Sequence, residues 1–171
     1  YKVLASDLSN EMLEVARQKA KNYLTKDADI KFKQGDIRTA QFGKFDAAIS
    51  IFNAIGHLSE KDFSKTLRNV GSNLKPNGLY IFDIFNYDFM NKHGSFGFEF
   101  VDRAKEYGGK KYVRLNHNSL DKKQKVMHIN QRVYIQEDFG KPDIYRSSWD
   151  MKIHDVKDLE RLVSDNGFEL Y

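Results

Sequence analysis

The chain has 171 residues, 40% hydrophobic and 30% charged, so it can bury a core and need not be disordered. Its 28 basic and 24 acidic residues leave a net charge of +4, too even a mixture to argue nucleic-acid binding. Cysteine is absent, which removes disulfides, thiolate nucleophiles and cysteine zinc sites, and no apolar run approaches the roughly 18 residues of a membrane helix. A reducing, cytoplasmic compartment fits this composition.

The chain opens on a strand already under way, residues 2–7, with no initiator methionine or signal peptide ahead of it. Ser9 then offers a helix N-cap, and Met12, Leu13, Ala16, Ala20 and Leu24 follow at helical spacing. Residues 30–34 alternate as a strand and end at Gly35-Asp36. The nearly continuous apolar run 45–52 reads as a strand covered on both faces. Ser59 is a second N-cap, and Phe63, Leu67, Val70 and Leu74 form one helical stripe. The run Lys75-Pro76-Asn77-Gly78 is expected to break that helix and turn the chain into a buried strand at 79–85. Helices used as crossovers in this β-α-β-β-α-β order call for a mostly parallel, doubly wound sheet.

After Asn86 the pattern changes. Residues 98–107, 111–119, 125–137 and 144–153 alternate, with turn signals at Gly108-Gly109, Asp121-Lys122-Lys123 and Gly140-Lys141-Pro142-Asp143, which predicts antiparallel hairpins. Asp155 caps a last helix bearing Val156, Leu159, Leu162 and Val163, which stops at Asn166-Gly167. The run 167–171 then begins a further strand, and the chain reads as a piece of a longer protein.

In an open parallel sheet, ligands sit at the carboxyl ends of the strands. Asp7 and Asp36 stand there. One carboxylate suits two neighbouring ribose hydroxyls, a second suits an adenine amino group, and Leu8 and Ile37 can sandwich the base. The competing reading makes Asp7 a cap for the helix beginning at Ser9 and Asp36 a turn residue. Asn53 and His57 follow the run 45–52. Asp83, Asn86 and Tyr87 follow the next strand, where Asn86-Tyr87-Asp88 also reads as an ordinary loop. His93, His117, His128 and His154 show no metal-ligand pattern, although His117 and His128 lie on facing hairpin strands and can pair across them. Tyr145 and Trp149 read as packing residues. The lysines at 110, 111, 122, 123 and 125 read as a solvated face.

The run Val3-Leu4-Ala5-Ser6-Asp7-Leu8-Ser9-Asn10-Glu11-Met12-Leu13-Glu14-Val15-Ala16 resembles the second-strand signature of class I S-adenosylmethionine-dependent methyltransferases. Gly35-Asp36-Ile37-Arg38 is similar to their adenine-contacting turn, residues 45–52 to their fourth strand, and Leu74-Lys75-Pro76-Asn77-Gly78 to the turn before their fifth. The resemblance implies a Rossmann-like fold with S-adenosylmethionine as cofactor, held by Asp7, Leu8, Asp36, Ile37 and Phe52. It also implies that the family's first strand and glycine-rich loop, and its last strand pair, are missing from these residues. Residues 1–86 would be the cofactor-binding α/β part, 87–154 an antiparallel insertion forming a substrate lid or wall, and 155–171 a return to the α/β core.

Residues 50–58 are similar to a segment of small-molecule methyltransferases, and in the amino-sugar N-methyltransferases a histidine matching His57 borders the substrate amine. The expected reaction is in-line methyl transfer to nitrogen or oxygen of a small polar metabolite. His57 would be the proton acceptor, and Asn53, Asp83, Asn86 and Tyr87 would line the acceptor site. An RNA or protein methyltransferase on the same fold, and a non-catalytic binding protein derived from it, stand as alternatives. Against the first, residues 52–55 lack the Asn/Asp-Pro-Pro-aromatic run of adenine-N6 enzymes. A homodimer is compatible with the sequence, which names neither the acceptor nor the oligomeric state.

Overall fold

A computed structural model describes residues 1–25, 28–94 and 96–171. They divide into two compact units. One comprises residues 1–49, 61–81 and 162–171; the other comprises 50–60 and 82–161.

In the first unit, β1 (Lys2–Asp7) pairs in parallel with β2 (Asp29–Gln34), from Lys2 opposite Asp29 to Asp7 opposite Gln34. Between them runs α1 (Asn10–Tyr23), capped as expected: the Ser9 hydroxyl accepts the Met12 N–H at 3.1 Å. Of its predicted stripe only Leu13 is buried; Met12 is exposed in the first turn, and Leu24 is exposed because it already lies past the last helical turn. β3 (Phe45–Ser50) pairs with β4 (Leu74–Phe82). Among the described residues no ladder joins the two pairs, so the single sheet expected from the strand order is seen as two separate pairs.

The helix α2 (Glu60–Asn73) carries the expected core stripe: Phe63 and Leu67 are fully buried, and Val70 and Leu74 nearly so. At about 1.5–3 kcal/mol for each such side chain, packing rather than intrinsic propensity holds this helix. The expected turn at 75–78 falls inside the span of β4. Asn77 there takes a left-handed φ of 60°, which an asparagine adopts more readily than most residues. The loop at 35–43 is pinned to α2. Asn69 donates to the carbonyls of Ile37 and Ala40, and the Asn73 side chain accepts from the Phe42 N–H.

In the second unit the four strands appear close to their predicted bounds. β5 (Glu99–Tyr107), β6 (Lys110–Asp121), β7 (Val126–Glu137) and β8 (Asp143–Lys152) form an antiparallel meander in that order. Met127, Ile129, Met151 and Ile153 make its buried core, joined by Tyr87, Met90, Phe96, Leu120 and Trp149. Trp149 therefore packs as expected, whereas Tyr145 is exposed. His128 does not meet His117: the register sets them opposite Ser119 and Asn130, and His128 Nδ1 instead contacts Asp150 Oδ1 at 2.6 Å.

Residues 86–93, open to a loop reading in the sequence, form α3 (Tyr87–His93) with Asn86 as its N-cap. The last helix, α4 (Val156–Asp165), begins where the Asp155 carboxylate accepts the Asp158 N–H at 2.8 Å. It ends at Asp165; beyond it Gly167 takes a φ of 84° that suits glycine, and the Phe168 N–H returns to the Val163 carbonyl. No helix among the described residues is long and apolar enough to cross a membrane.

Candidate functional site

The expected site residues fall into two groups, one in each unit. In the first, Asp7 closes β1 and its backbone carbonyl accepts the Gly35 N–H at 3.0 Å, which ties the end of β1 to the turn after β2. Its Oδ1 accepts the Ser9 N–H at 2.8 Å. Asp7 thus braces the cap residue Ser9 rather than capping α1 itself, and its carboxylate stays exposed beside Leu8, which is 65% exposed, and Met12. An acid with apolar side chains standing bare next to it is the surface a nucleoside needs: acceptor oxygens for hydroxyls and a flat apolar support. Met12 was not among the residues expected there. Its signal was its place in the first turn of α1, three residues after the cap.

Asp36 is arranged differently. Arg38 holds both its oxygens, with Nε at 2.9 and 3.1 Å and Nη2 at 2.6 Å, and the Arg38 backbone N–H adds a bond at 2.9 Å. These bonds pull the Asp36 pKa down to about 2. Arg38 Nη1 also reaches Asp62 at 3.3 Å. A ligand amino group at Asp36 would have to share oxygens already taken by the guanidinium. Ile37 is half-buried, its carbonyl occupied by Asn69.

The run 45–52, whose last residues 50–52 belong to the second unit, does not stay extended to its end. β3 stops at Ser50, and Phe52 and Asn53 both take left-handed φ angles, 62° and 55°. For Phe52 this conformation is costly, and consecutive residues held this way are characteristic of functional turns. Phe52 is 87% exposed as a result. Asn53 is buried, and its bonds make it a junction. Its N–H donates to Asp83 Oδ1 at 3.0 Å, its Oδ1 accepts the Phe85 N–H at 3.2 Å, and its Nδ2 meets Met151 Sδ at 3.4 Å. Its carbonyl accepts the Gly56 N–H at 3.0 Å. The junction requires Gly56, since a Cβ there would lie 2.4 Å from Asn53 Nδ2.

Asn53 was expected to touch an acceptor, but its side chain is committed inside the protein. What it does is hold Asp83 and Phe85, on the segment after β4, against the turn after β3. Asp83 is exposed, as is His57, the last residue of the short 3₁₀ helix Ala54–His57. Asn86 spends its side chain on the Phe89 N–H at 2.9 Å as the cap of α3. Tyr87 packs on the sheet core, with its hydroxyl donating to the Lys122 carbonyl at 3.3 Å. Beside it, His154 is buried; burial lowers its pKa, and its carbonyl accepts the Tyr87 N–H at 3.0 Å.

Known proteins resemble this chain in sequence over its first part and in fold over nearly all of it. Residues 1–78 match the methyltransferase domain family. The glycine/sarcosine N-methyltransferase of Halorhodospira halochloris is 36% identical over 99 residues, 55% of this chain and 35% of that protein. An S-adenosylmethionine-dependent methyltransferase from Clostridium acetobutylicum superposes with a TM-score of 0.76 at 18% identity, over 97% of this chain and 63% of its own. The sugar N-methyltransferase KedS8 from a Streptoalloteichus species superposes with a TM-score of 0.74 at 17% identity, covering 96% and 62%. The chain thus spans from about a third to under two thirds of the length of these relatives. The α/β, Rossmann-like fold expected from the sequence is shown by these superpositions.

Proposed function

We propose, from the premise that this chain has the fold of the class I S-adenosylmethionine-dependent methyltransferases, that it forms the greater part of an enzyme methylating nitrogen or oxygen of a small polar metabolite. The observation that carries the reading is the exposed Asp7 carboxylate at the end of a parallel strand, flanked by exposed Leu8 and Met12. These residues fit a ribose and the nucleoside surface beside it. Asp36 fits less freely, because Arg38 already occupies both its oxygens. When bound, S-adenosylmethionine supplies an electrophilic methyl group.

The chain's own residues then position and deprotonate. Asp83 is fixed through the Asn53 N–H, which holds an exposed carboxylate that in this reading meets a cationic or hydroxyl-bearing acceptor. An attacking amine must lose a proton, and in this reading the exposed His57 imidazole accepts it. Two of the proteins compared are named for N-methylation of small acceptors, glycine or sarcosine and a sugar, which supports a small metabolite over RNA or protein. A cytoplasmic location belongs to the same proposal and rests on the cysteine-free composition.

The test is calorimetric titration of S-adenosylhomocysteine into the whole protein. Micromolar binding that disappears in Asp7→Ala supports the reading and justifies a screen of amines and polyols for methyl transfer. Absence of binding to the whole protein refutes it.

A further inference from the structure

The four-stranded sheet has two unlike faces. Along β7 and β8 the core side chains sit at alternate positions: Met127 and Ile129 on one strand, Trp149 and Met151 on the other. The residues between them therefore project from the opposite face. Two neighbouring cross-strand rows share that face. One row runs Glu99, His117, Asn130, Ser148, and the next places Arg132 directly opposite Arg146. These six residues line a single groove of about 580 Å³, within the range of small-molecule sites.

The charge arrangement needs a partner. Like charges directly opposed across an antiparallel pair destabilise it. Glu99 forms an ion pair with Arg132, and no ion pair of Arg146 is found among the described residues. The groove therefore keeps one uncompensated guanidinium, together with the Asn130 amide, the Ser148 hydroxyl and the His117 ring. A carboxylate offers two oxygens to such a donor set, whereas a phosphate monoester offers three outward oxygens and a geometry that two guanidinium forks can share.

We infer that this outer sheet face binds a phosphate-bearing small molecule, its phosphate lodged between Arg132 and Arg146 and its remainder over Asn130 and Ser148. The inference is independent of the methyl-transfer reading, since it rests on residues of the sheet alone. A second copy of the chain fits less well, because a two-fold contact through this groove would bring four arginines against two glutamates. A long nucleic acid fits less well too, because 28 basic and 24 acidic residues are too even a mixture for a polyanion track.

The experiment titrates inorganic phosphate and phenyl phosphate separately into the isotope-labelled full protein, reading arginine side-chain and backbone shifts by NMR. Saturable shifts at Arg132, Arg146 and Ser148 are expected, with tighter binding of phenyl phosphate if the ligand is an ester and equal binding if it is the free ion. Arg146→Ala should weaken binding at least about tenfold, while Glu99→Gln should preserve or tighten it. Arg146 is exposed, and an unchanged circular dichroism spectrum and melting midpoint in Arg146→Ala will show that the fold persists. The inference is overturned if neither probe gives saturable shifts, or if the shifts survive Arg146→Ala. It is also overturned if sedimentation shows a dimer that Arg146→Ala dissociates and phosphate leaves intact.

Discussion

Asn53 offers the sharpest quantitative test, because one side chain serves three segments. Asn53→Ala leaves the Phe85 N–H without its acceptor and Met151 Sδ without its donor. An orphaned, partly buried amide costs about 1–3 kcal/mol. Alanine must also hold a φ of 55° that asparagine tolerates better, which adds about 1 kcal/mol. The expected loss is about 2–4 kcal/mol, a large share of the roughly 5–15 kcal/mol that holds a domain folded. Asn53→Gly removes the same bonds without the backbone strain, so it should be more stable than the alanine variant by roughly 0.5–1 kcal/mol, glycine's unfolded-chain entropy offsetting part of the relief. Urea denaturation followed by tryptophan fluorescence suits the question. The protein has one tryptophan, Trp149, and it lies two residues from Met151 on β8. The reasoning fails if Asn53→Ala falls within about 0.5 kcal/mol of the parent, or if the glycine variant is the weaker of the two.

Gly56→Ala forces the Asn53 amide aside and should cost about 1–3 kcal/mol. Combined with Asn53→Ala the two costs should not add, and a double-mutant cycle in urea will measure the shortfall. Asp7→Ala should weaken S-adenosylhomocysteine at least about tenfold by calorimetry, because each charge-assisted bond to a ribose hydroxyl is worth about 1.5–3 kcal/mol. Its melting midpoint should move little, since Ser9 remains to cap α1. Asp36 has a folded pKa of about 2, below its unfolded value, so its stabilising contribution is present above the unfolded pKa and is lost as pH falls through about 2. Asp36→Asn should therefore be less stable than the parent at neutral pH. The gap should narrow below about pH 4 and close near pH 2 in acid-denaturation curves.

Much of the fold could be read from side-chain periodicity, and the exceptions share a cause. The hairpin strands, the Ser9 and Asp155 caps and the α2 stripe rest on local pattern, which the backbone obeys where nothing overrides it. At residues 50–53 and 83–87 the pattern misleads. The apolar run continues through Phe52, yet the bonds that Asn53 makes to Asp83, Phe85 and Met151 bend the chain into two left-handed residues. Those partners lie 30, 32 and 98 positions away, so no window along the sequence reveals them. For the same reason Asn53, Asn86 and Tyr87 looked like residues awaiting a ligand, although each already has a partner in the protein. At Asp7 the structure shows the local part alone: one carboxylate oxygen accepts the Ser9 N–H through a short bond, and the side chain stays exposed. Asp36 was legible as an acid at a strand end. The fork from Arg38 also lay in view two residues away, but its closing on Asp36 depends on a rotamer that spacing alone does not specify.

The alternation along β8 has a consequence for how such a protein can change. Trp149 and Met151 are held by the apolar interior, while Arg146, Ser148 and Asp150 face outward from the same ten residues. A substitution on the inward side is filtered by folding, whereas one on the outward side leaves the interior untouched and alters only what the surface can recognise. One strand can thus drift in recognition while its interior stays constrained, and relatives could diverge in what this face binds without rebuilding the sheet that displays it.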